Sequence, residues 1–239
     1  RSSDLVIFSQ IRVFLDWRSY LKKMVSSLSE SVIKSGDFFK NAVIFLHGYG
    51  ANSEDLINIA NLWIDKLPET LFLSPNAPFK CEFADNAYQW FELTSISPEN
   101  IGKGLEKAGP YLNNYIDEVS KKNNIPEEKI LFVGFSQGTM MALYHLCKRK
   151  KKCAGLLGFS GLLYENENFK NEVSSKFPIK LYHGKKDEVI NFKFTEDAFK
   201  KFKEYGFEID YSLSDELGHG IDENGLAEGI EFIEKTLNI

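Results

Sequence analysis

Gly134-Phe135-Ser136-Gln137-Gly138 lies between a strand-like segment and a helix-like segment. Residues 129–133 are mostly apolar with high strand propensity, and residues 139–148 are rich in helix formers. The pattern predicts a strand, a sharp turn and a helix, with Ser136 at the turn. Glycine at both flanking positions avoids the collision that a side chain there would make with the neighbouring strand or helix.

A serine at such a turn sits in a strained backbone conformation, with its hydroxyl exposed at the C-terminal edge of a sheet. The adjacent helix N-terminus favours developing negative charge. This arrangement is the nucleophile elbow of an α/β-hydrolase. The five-residue pattern is weak evidence by itself, because ordinary turns are also flanked by glycine. The fold requires an acid and then a histidine later in the chain.

Asp187 is the candidate acid. Residues 178–183 form a predicted short buried strand, and residues 184–190 a predicted loop. Asp187 therefore lies just beyond a strand end, where catalytic groups collect in open α/β sheets. The alternatives are that Asp187 is an ordinary solvated loop acid or that Glu188 is the acid, and we prefer Asp187.

His219 is the candidate base. It lies between two glycines that follow a strand predicted at residues 207–213, so a tight loop can carry it into a site. It is the one histidine of four that follows both Ser136 and Asp187. The other three precede the acid, two of them at a predicted helix and a strand end where a structural role is expected: His47, His145 and His183.

These three residues predict covalent catalysis. Neutral His219 takes the proton of Ser136 as the hydroxyl attacks an acyl carbonyl, then protonates the leaving group and activates water. Asp187 holds the imidazole tautomer and stabilises the imidazolium. Histidine suits this role because its unperturbed pKa lies near neutrality.

A second glycine-rich loop follows a strand predicted at residues 41–46. Residues 47–52 read His-Gly-Tyr-Gly-Ala-Asn, and glycines let the backbone turn N–H groups toward a developing oxyanion. Ser53 is the expected N-cap of the next helix, with acids in its first turn. The alternative is a plain turn between a strand and a helix.

The chain resembles the phospholipase/carboxylesterase family, which includes the acyl-protein thioesterases, and most closely its bacterial members. The resemblance covers roughly residues 28–237 in the order of the family. The matching segments are residues 47–52, 74–78, 89–91, 134–139, Gly184 with Asp187, and 218–220.

The resemblance implies the same three catalytic residues. It also implies an oxyanion hole made by the backbone N–H groups of Tyr49 and Gln137. It places Trp90 and Phe91 near an acyl-binding groove as substrate-binding residues. The alternative for these two side chains is an ordinary aromatic core.

Composition fits one domain with a sizeable core, at 239 residues and 43% hydrophobic content. The net charge of −5 and the position of the basic run 148–152 at a predicted helix end favour a solvated face over nucleic-acid binding. Three cysteines without metal or redox spacing fit a reducing cytoplasm. No cofactor or metal is expected.

Alternating strands and helices predict an α/β fold, a mostly parallel sheet with helices on both faces. Residues 75–97 are the longest irregular stretch and the expected rim of the site. We expect an N-terminal extension at residues 1–23 and the hydrolase domain at residues 24–239. Residues 5–15 are apolar but too short to span a bilayer, so a membrane-surface helix is the alternative there.

The preferred interpretation of the sequence is a serine hydrolase that cleaves short- to medium-chain acyl esters or thioesters. Its expected partner is a small acyl substrate, without nucleic acid or stable membrane insertion, and a homodimer is left open. The alternatives are a catalytically silent binding protein of the same fold and a serine peptidase. A silent protein should lack a catalytic residue, and a peptidase would usually need a further domain.

Overall fold

The structure is a computed structural model that describes residues 27–93 and 97–239. The predicted boundary between an extension at 1–23 and a domain at 24–239 lies outside the described residues, as does the apolar segment at residues 5–15. Among the described residues, no helix is both long and apolar enough to cross a membrane.

A seven-stranded sheet forms the centre of the molecule. Its spatial order is β1-β3-β2-β6-β7-β8-β9, with β1 antiparallel to β3 and every other neighbouring pair parallel. Strands β4 and β5 form a separate antiparallel pair. The bounds are β1 Glu30–Lys34, β2 Asn41–Leu46, β3 Thr70–Pro75, β4 Phe79–Lys80, β5 Tyr88–Gln89, β6 Ile130–Phe135, β7 Gly155–Phe159, β8 Ile179–Gly184 and β9 Ile209–Ser214.

Helices connect the strands. The bounds are α1 Ser53–Ile57, α2 Ala60–Trp63, α3 Pro98–Asn123, α4 Gln137–His145, α5 Phe169–Glu172, α6 Lys193–Glu204 and α7 Glu223–Leu237. Short 3-10 turns span Glu127–Lys129 and Leu146–Lys148. The mostly parallel sheet and the order of the elements confirm the predicted α/β-hydrolase fold.

The sheet is covered by an apolar layer on each face. Alternate side chains of a strand point to opposite sides, so one strand contributes to both layers. Ala42, Ile44 and Leu46 of β2 pack into the apolar layer formed with α3, α4 and α6. Val43 and Phe45 pack into the opposite layer, formed with α1, α2 and α7. A strand buried on both faces shows a continuous apolar run rather than alternation, as residues 42–46 do.

Two local predictions need correction. The N-cap of α1 is Asn52 rather than Ser53, since the Asn52 side chain accepts from the Glu54 N–H and the Asp55 carboxylate accepts from the Asn52 N–H. The stretch 75–97 is also less irregular than expected, because β4 and β5 pair within it.

The strand order places two loops side by side. From β2 the chain moves outward to β3, and later returns to the other side of β2 as β6. Ligands bind at such a reversal, outside the carboxyl ends of the strands. The loop after β2 begins with His47, and the turn after β6 holds Ser136, so both segments meet at this edge.

Candidate active site

Ser136 occupies a strained turn between β6 and α4. Its φ of 54° and ψ of −117° lie outside the regions that most residues adopt. Two hydrogen bonds to the Phe159 carbonyl at the end of β7 hold the turn, one from the Ser136 N–H at 3.0 Å and one from the Thr139 hydroxyl at 2.9 Å. Neighbouring structure therefore maintains the strain, as is typical of functional positions.

The flanking glycines are required by close backbone contacts. A Cβ at Gly138 would lie 1.9 Å from the Leu46 carbonyl oxygen at the end of β2. A Cβ at Gly134 would lie 2.7 Å from the backbone of Thr139 in α4. These distances confirm the predicted reason for glycine on both sides of Ser136.

The structure brings Ser136, His219 and Asp187 together in one chain of hydrogen bonds. The Ser136 Oγ lies 3.1 Å from His219 Nε2, and His219 Nδ1 lies 2.7 Å from Asp187 Oδ2. Because Asp187 only accepts when ionised, the Nδ1 atom carries the proton and Nε2 is free to accept from the serine. This is the tautomer that a general base requires.

Asp187 is buried and ionised. Its other oxygen, Oδ1, accepts from the N–H groups of Val189 and Ile190, both at 2.8 Å. Burial alone would raise the pKa of this carboxyl, but the hydrogen bonds from Ile190, His219 and Val189 outweigh it and hold the pKa below its ordinary value. Glu188, the alternative acid, is exposed beside it.

The loops that carry Asp187 and His219 are joined to each other. The Lys186 N–H donates to the Leu217 carbonyl at 2.9 Å. A Cβ at Gly184 would lie 2.2 Å from that same oxygen and 2.4 Å from the Gly218 carbonyl. By contrast, a Cβ at Gly220 would meet, within the described part of the chain, only an ordinary contact with the Leu217 side chain at 3.8 Å. The glycine that the histidine loop needs is Gly184, the last residue of β8, rather than a glycine beside His219.

His47 orients the peptide between Gly48 and Tyr49. The Ala77 N–H donates to His47 Nε2 at 2.9 Å, so Nδ1 carries the proton and donates to the Gly48 carbonyl at 2.7 Å. Burial lowers the pKa of His47, which keeps the ring neutral. In a trans peptide the N–H points opposite to the carbonyl, so the Tyr49 N–H points away from His47.

The predicted oxyanion donors belong to the two segments that meet at the serine. A Cβ at Gly48 would be 3.3 Å from the Ser136 Cβ, so Tyr49 is in the segment packed against the elbow. Gln137 directly follows Ser136 at the start of α4. Among the described residues, the backbone N–H groups of Tyr49 and Gln137 have no acceptor, which leaves both available to a ligand.

Trp90 and Phe91 are core residues in this structure. The Trp90 side chain is fully buried and donates from Nε1 to the His47 carbonyl at 3.0 Å. Phe91 packs on Gly104 of α3. The Gln137 side chain bridges them, accepting from the Trp90 N–H at 3.0 Å and donating to the Phe91 carbonyl at 2.7 Å. Both residues thus hold the Gln137 side chain next to the elbow, and the exposed fractions of their side chains are 0% for Trp90 and 2% for Phe91.

Exposed aromatic side chains lie on and beside the loop after β2. Tyr49 is 41% exposed and Phe83, between β4 and β5, is 64% exposed, with their ring centroids 5.9 Å apart. Ser136 itself is only 8% exposed, less than predicted, because Gly48 packs on it and His219 covers its hydroxyl. Phe135 in turn packs on the His219 ring, with centroids 5.0 Å apart.

The sequence did not indicate that three side chains contact the site: His47, Gln137, and His183, which lies 3.0 Å from Asp187. Their roles depend on partners that the fold brings close, such as Ala77 for His47, 30 positions away. No cluster of three or more His, Cys, Asp or Glu side chains within residues 27–93 and 97–239 is arranged to hold a metal ion.

A family model described as Phospholipase/Carboxylesterase matches residues 28–237. Acyl-protein thioesterase 1 homolog 2 of Dictyostelium discoideum is 32% identical over 218 residues, covering 86% of this chain and 96% of that protein. Acyl-protein thioesterase 1 of Aspergillus fumigatus is 28% identical, covering 82% of this chain and 87% of that protein.

Solved structures agree with these sequence relatives. The crystal structure of esterase PE8 is similar with a TM-score of 0.85 and 32% identity, covering 89% of this chain and all of that one. The carboxylesterase of Bacillus cereus has a TM-score of 0.73 at 16% identity, covering 91% of this chain and 98% of that chain, and shows the same fold.

Proposed function

This chain belongs to the phospholipase/carboxylesterase family and is an enzyme that hydrolyses carboxylic esters or thioesters, and we propose that Ser136, His219 and Asp187 carry out the reaction. The observation that carries the proposal is the continuous line of hydrogen bonds from the Ser136 hydroxyl through His219 to Asp187. A nucleophile, a base and an orienting acid in that geometry suit acyl transfer.

The first half of the reaction forms an acyl-enzyme. Ser136 Oγ attacks the acyl carbonyl as its proton passes to His219 Nε2, and Asp187 stabilises the imidazolium. The carbonyl oxygen gains negative charge, which the N–H groups of Tyr49 and Gln137 stabilise in this proposal. His219 then returns the proton to the departing alcohol or thiol as the bond to the carbonyl carbon breaks.

The second half releases the acyl group. His219 accepts a proton from water as the water oxygen attacks the acyl carbon, which forms a tetrahedral intermediate. The collapse of that intermediate breaks the bond to Ser136 Oγ. The serine regains its proton from His219. A thiolate leaves readily with little assistance from the acid, so thioesters suit this site as well as esters do.

We propose short- to medium-chain acyl groups as substrates. The exposed rings of Tyr49 and Phe83 support this, because they offer apolar surface on the loop that packs on the serine through Gly48. Each buried CH₂ gains about 0.8 kcal/mol, so longer chains gain until the apolar surface ends. A cytoplasmic location is also proposed, supported by three free buried cysteines. A homodimer stays a prediction.

The test is Ser136→Ala with an ester and a thioester substrate and a fluorophosphonate probe. The variant should fold, lose capture by the probe, and lose activity by up to about 10⁶ in kcat, the loss seen for a serine protease. Ser175 is another buried serine away from the site, so Ser175→Ala should keep both enzymatic activity and capture by the probe. A folded Ser136→Ala variant that retains more than about a hundredth of kcat would contradict the assignment.

A further inference from the structure

His183 is a second histidine on the candidate catalytic acid. It lies at the end of β8, is fully buried, and precedes Asp187 by four residues. Its Nε2 lies 3.0 Å from Asp187 Oδ2 and 2.9 Å from the Ile190 carbonyl, and its Nδ1 lies 2.7 Å from the Thr195 hydroxyl at the start of α6.

These partners determine the tautomer of His183. Both groups near Nε2 are acceptors, so Nε2 must carry a proton that it shares between them. Burial lowers the pKa of His183, so the ring stays neutral and Nδ1 has no proton. The Thr195 hydroxyl, which can donate or accept, therefore donates to Nδ1.

Asp187 then has a donor for each of its lone-pair sites. An ionised carboxylate has about four such sites. Oδ1 accepts from Val189 and Ile190, and Oδ2 accepts from His219 and His183. The oxygen that bonds the candidate base is the same oxygen that His183 holds.

We propose that His183 is a positioning residue for catalysis, whose Nε2–H fixes Asp187 Oδ2 in the orientation that accepts from His219 Nδ1. The backbone donors on Oδ1 anchor only one end of the carboxylate. His183 anchors the other end, so rotation of the carboxyl group about its bond to Cβ is restrained at both oxygens. The inference rests on the proposed function of Asp187 and His219.

The second effect of His183 is electrostatic. The titratable groups that hydrogen-bond Asp187 are His183, from the end of β8, and His219, from the loop between β9 and α7. Each donated hydrogen bond stabilises the ionised carboxylate. Removing the His183 donor should raise the pKa of Asp187. Asp187 would then take up a proton at a higher pH, so activity would be lost at a higher pH on the acid side.

The first experiment compares His183→Leu with His183→Gln. Leucine fills the space without a donor, whereas the glutamine amide nitrogen reaches about as far as Nε2. His183→Leu should lower kcat about tenfold with KM little changed, and should move the acid limb of the pH profile of kcat/KM upward. His183→Gln should restore most of kcat and of the profile.

The matched control is His145→Gln. His145 is also buried and donates from Nε2 to a backbone carbonyl, that of Leu105. Within the described part of the chain it makes no hydrogen bond or ring contact with the three proposed catalytic residues. Its replacement should lower the melting temperature without changing kcat or the pH profile. Unchanged kcat in His183→Leu, or equal losses in the leucine and glutamine variants, would overturn the positioning role while leaving Ser136-dependent hydrolysis intact.

The second experiment reads the tautomer of His183 by ¹⁵N NMR of the imidazole rings in the wild-type protein. A neutral ring protonated at Nε2 is expected, and protonation at Nδ1 would overturn the inference. This measurement needs neither a folded variant nor enzymatic activity, so it separates failure of this inference from failure of the proposed function. Thr195→Val supplies a milder variant and should lower kcat by less than His183→Leu does.

Discussion

Asp187 illustrates how single atoms decide the chemistry of this site. Its two oxygens have different partners: Oδ1 accepts from two backbone N–H groups, and Oδ2 accepts from two histidines. Each partner is a donor, so the site accepts an ionised carboxylate and rejects a group that carries its own hydrogens. Charge and hydrogen-bond polarity, rather than size, define the residue required here.

Asp187→Asn should therefore lower kcat by up to about 10⁴, the loss reported for the equivalent change in a trypsin-like protease. The amide oxygen of asparagine would stay with the backbone donors, which turns its NH₂ group toward His219 and His183. His219 would then have to accept at Nδ1, and its Nε2 would carry the proton that prevents it from acting as base. Steady-state kinetics on a soluble ester would measure the effect.

Glu188→Gln is the matched change for that prediction. Glu188 is the neighbouring acid and is exposed, so its neutral amide should change kcat little. Equal losses in the two variants, or a larger loss at Glu188, would show that Asp187 is not the acid.

At the scale of the elements, the site depends on loops that touch each other across the sheet edge. The loop after β2 packs on the turn after β6, and the loop after β8 lies against the loop after β9. At Gly138 and Gly184 the neighbouring atoms are backbone atoms, so these positions leave little space for an added carbon. A small change at such a contact shifts a catalytic side chain without touching it.

Gly184→Ala is expected to lower kcat strongly, by about a hundredfold, because its methyl group would meet the Leu217 and Gly218 carbonyls and push the His219 loop away. Gly220→Ala is the control: it adds one methyl group next to His219, and among the described residues that methyl group meets nothing closer than 3.8 Å. Kinetics and melting temperatures of both variants test this. Equal kinetics in the two variants would contradict the role assigned to Gly184.

The hairpin of β4 and β5 is the element expected to act on substrate choice. Trp90 is buried, so the exposed ring of Phe83 is the better candidate for contact with an acyl chain. Phe83→Ala should flatten the rise of kcat/KM with acyl chain length and leave acetyl esters nearly unaffected. Each CH₂ that loses its contact forfeits at most about 0.8 kcal/mol.

Phe38→Ala is the control for that series. Phe38 is 68% exposed, close to the value for Phe83, but it lies in the loop that enters β2, at the opposite edge of the sheet. A series of p-nitrophenyl esters of graded length, measured on both variants, compares them. A chain-length profile that Phe83→Ala leaves unchanged would remove Phe83 from the substrate contact.

At the scale of the whole molecule, buried histidines make stability depend on pH. Burial lowers the pKa of His47, His145 and His183, and that of His145 falls to about 4 from an ordinary value of 6.5. These groups are neutral in both states above their ordinary pKa. Below it these histidines bind protons in the unfolded chain but stay unprotonated in the folded protein. The free energy of unfolding therefore decreases as the pH falls.

The protein should therefore lose stability as the pH falls from about 7 to about 4, and the loss should begin before most carboxyl groups protonate. For His145 alone, the lowering of the pKa from 6.5 to about 4 corresponds to a loss of about 3 kcal/mol in the free energy of unfolding once the pH is below both values. Urea unfolding at several pH values measures this dependence. His145→Gln should be less stable at pH 7 but should show a shallower slope, and parallel curves for variant and wild type would contradict the prediction.

Sequence alone was sufficient wherever the cause was local. The serine turn, its two glycines and the strand and helix around it are contiguous, so their pattern predicts their geometry. The same holds for the start of α3, where the adjacent residues Ser97 and Pro98 form the N-cap and the first helical position. The resemblance at residues 28–237 predicted the family correctly, because its short motifs recur in a specific order.

Tertiary structure decided the features that depend on distant partners. Trp90 and Phe91 lie in the core because α3 and the Gln137 side chain cover them, and aromatic character alone does not distinguish a groove from a core. Gly184 is needed because of a loop about 33 residues further along, and His183 acquires its role from the bend that returns Asp187 to it. Order along the chain predicts which residues can meet, but packing determines which atoms face each other.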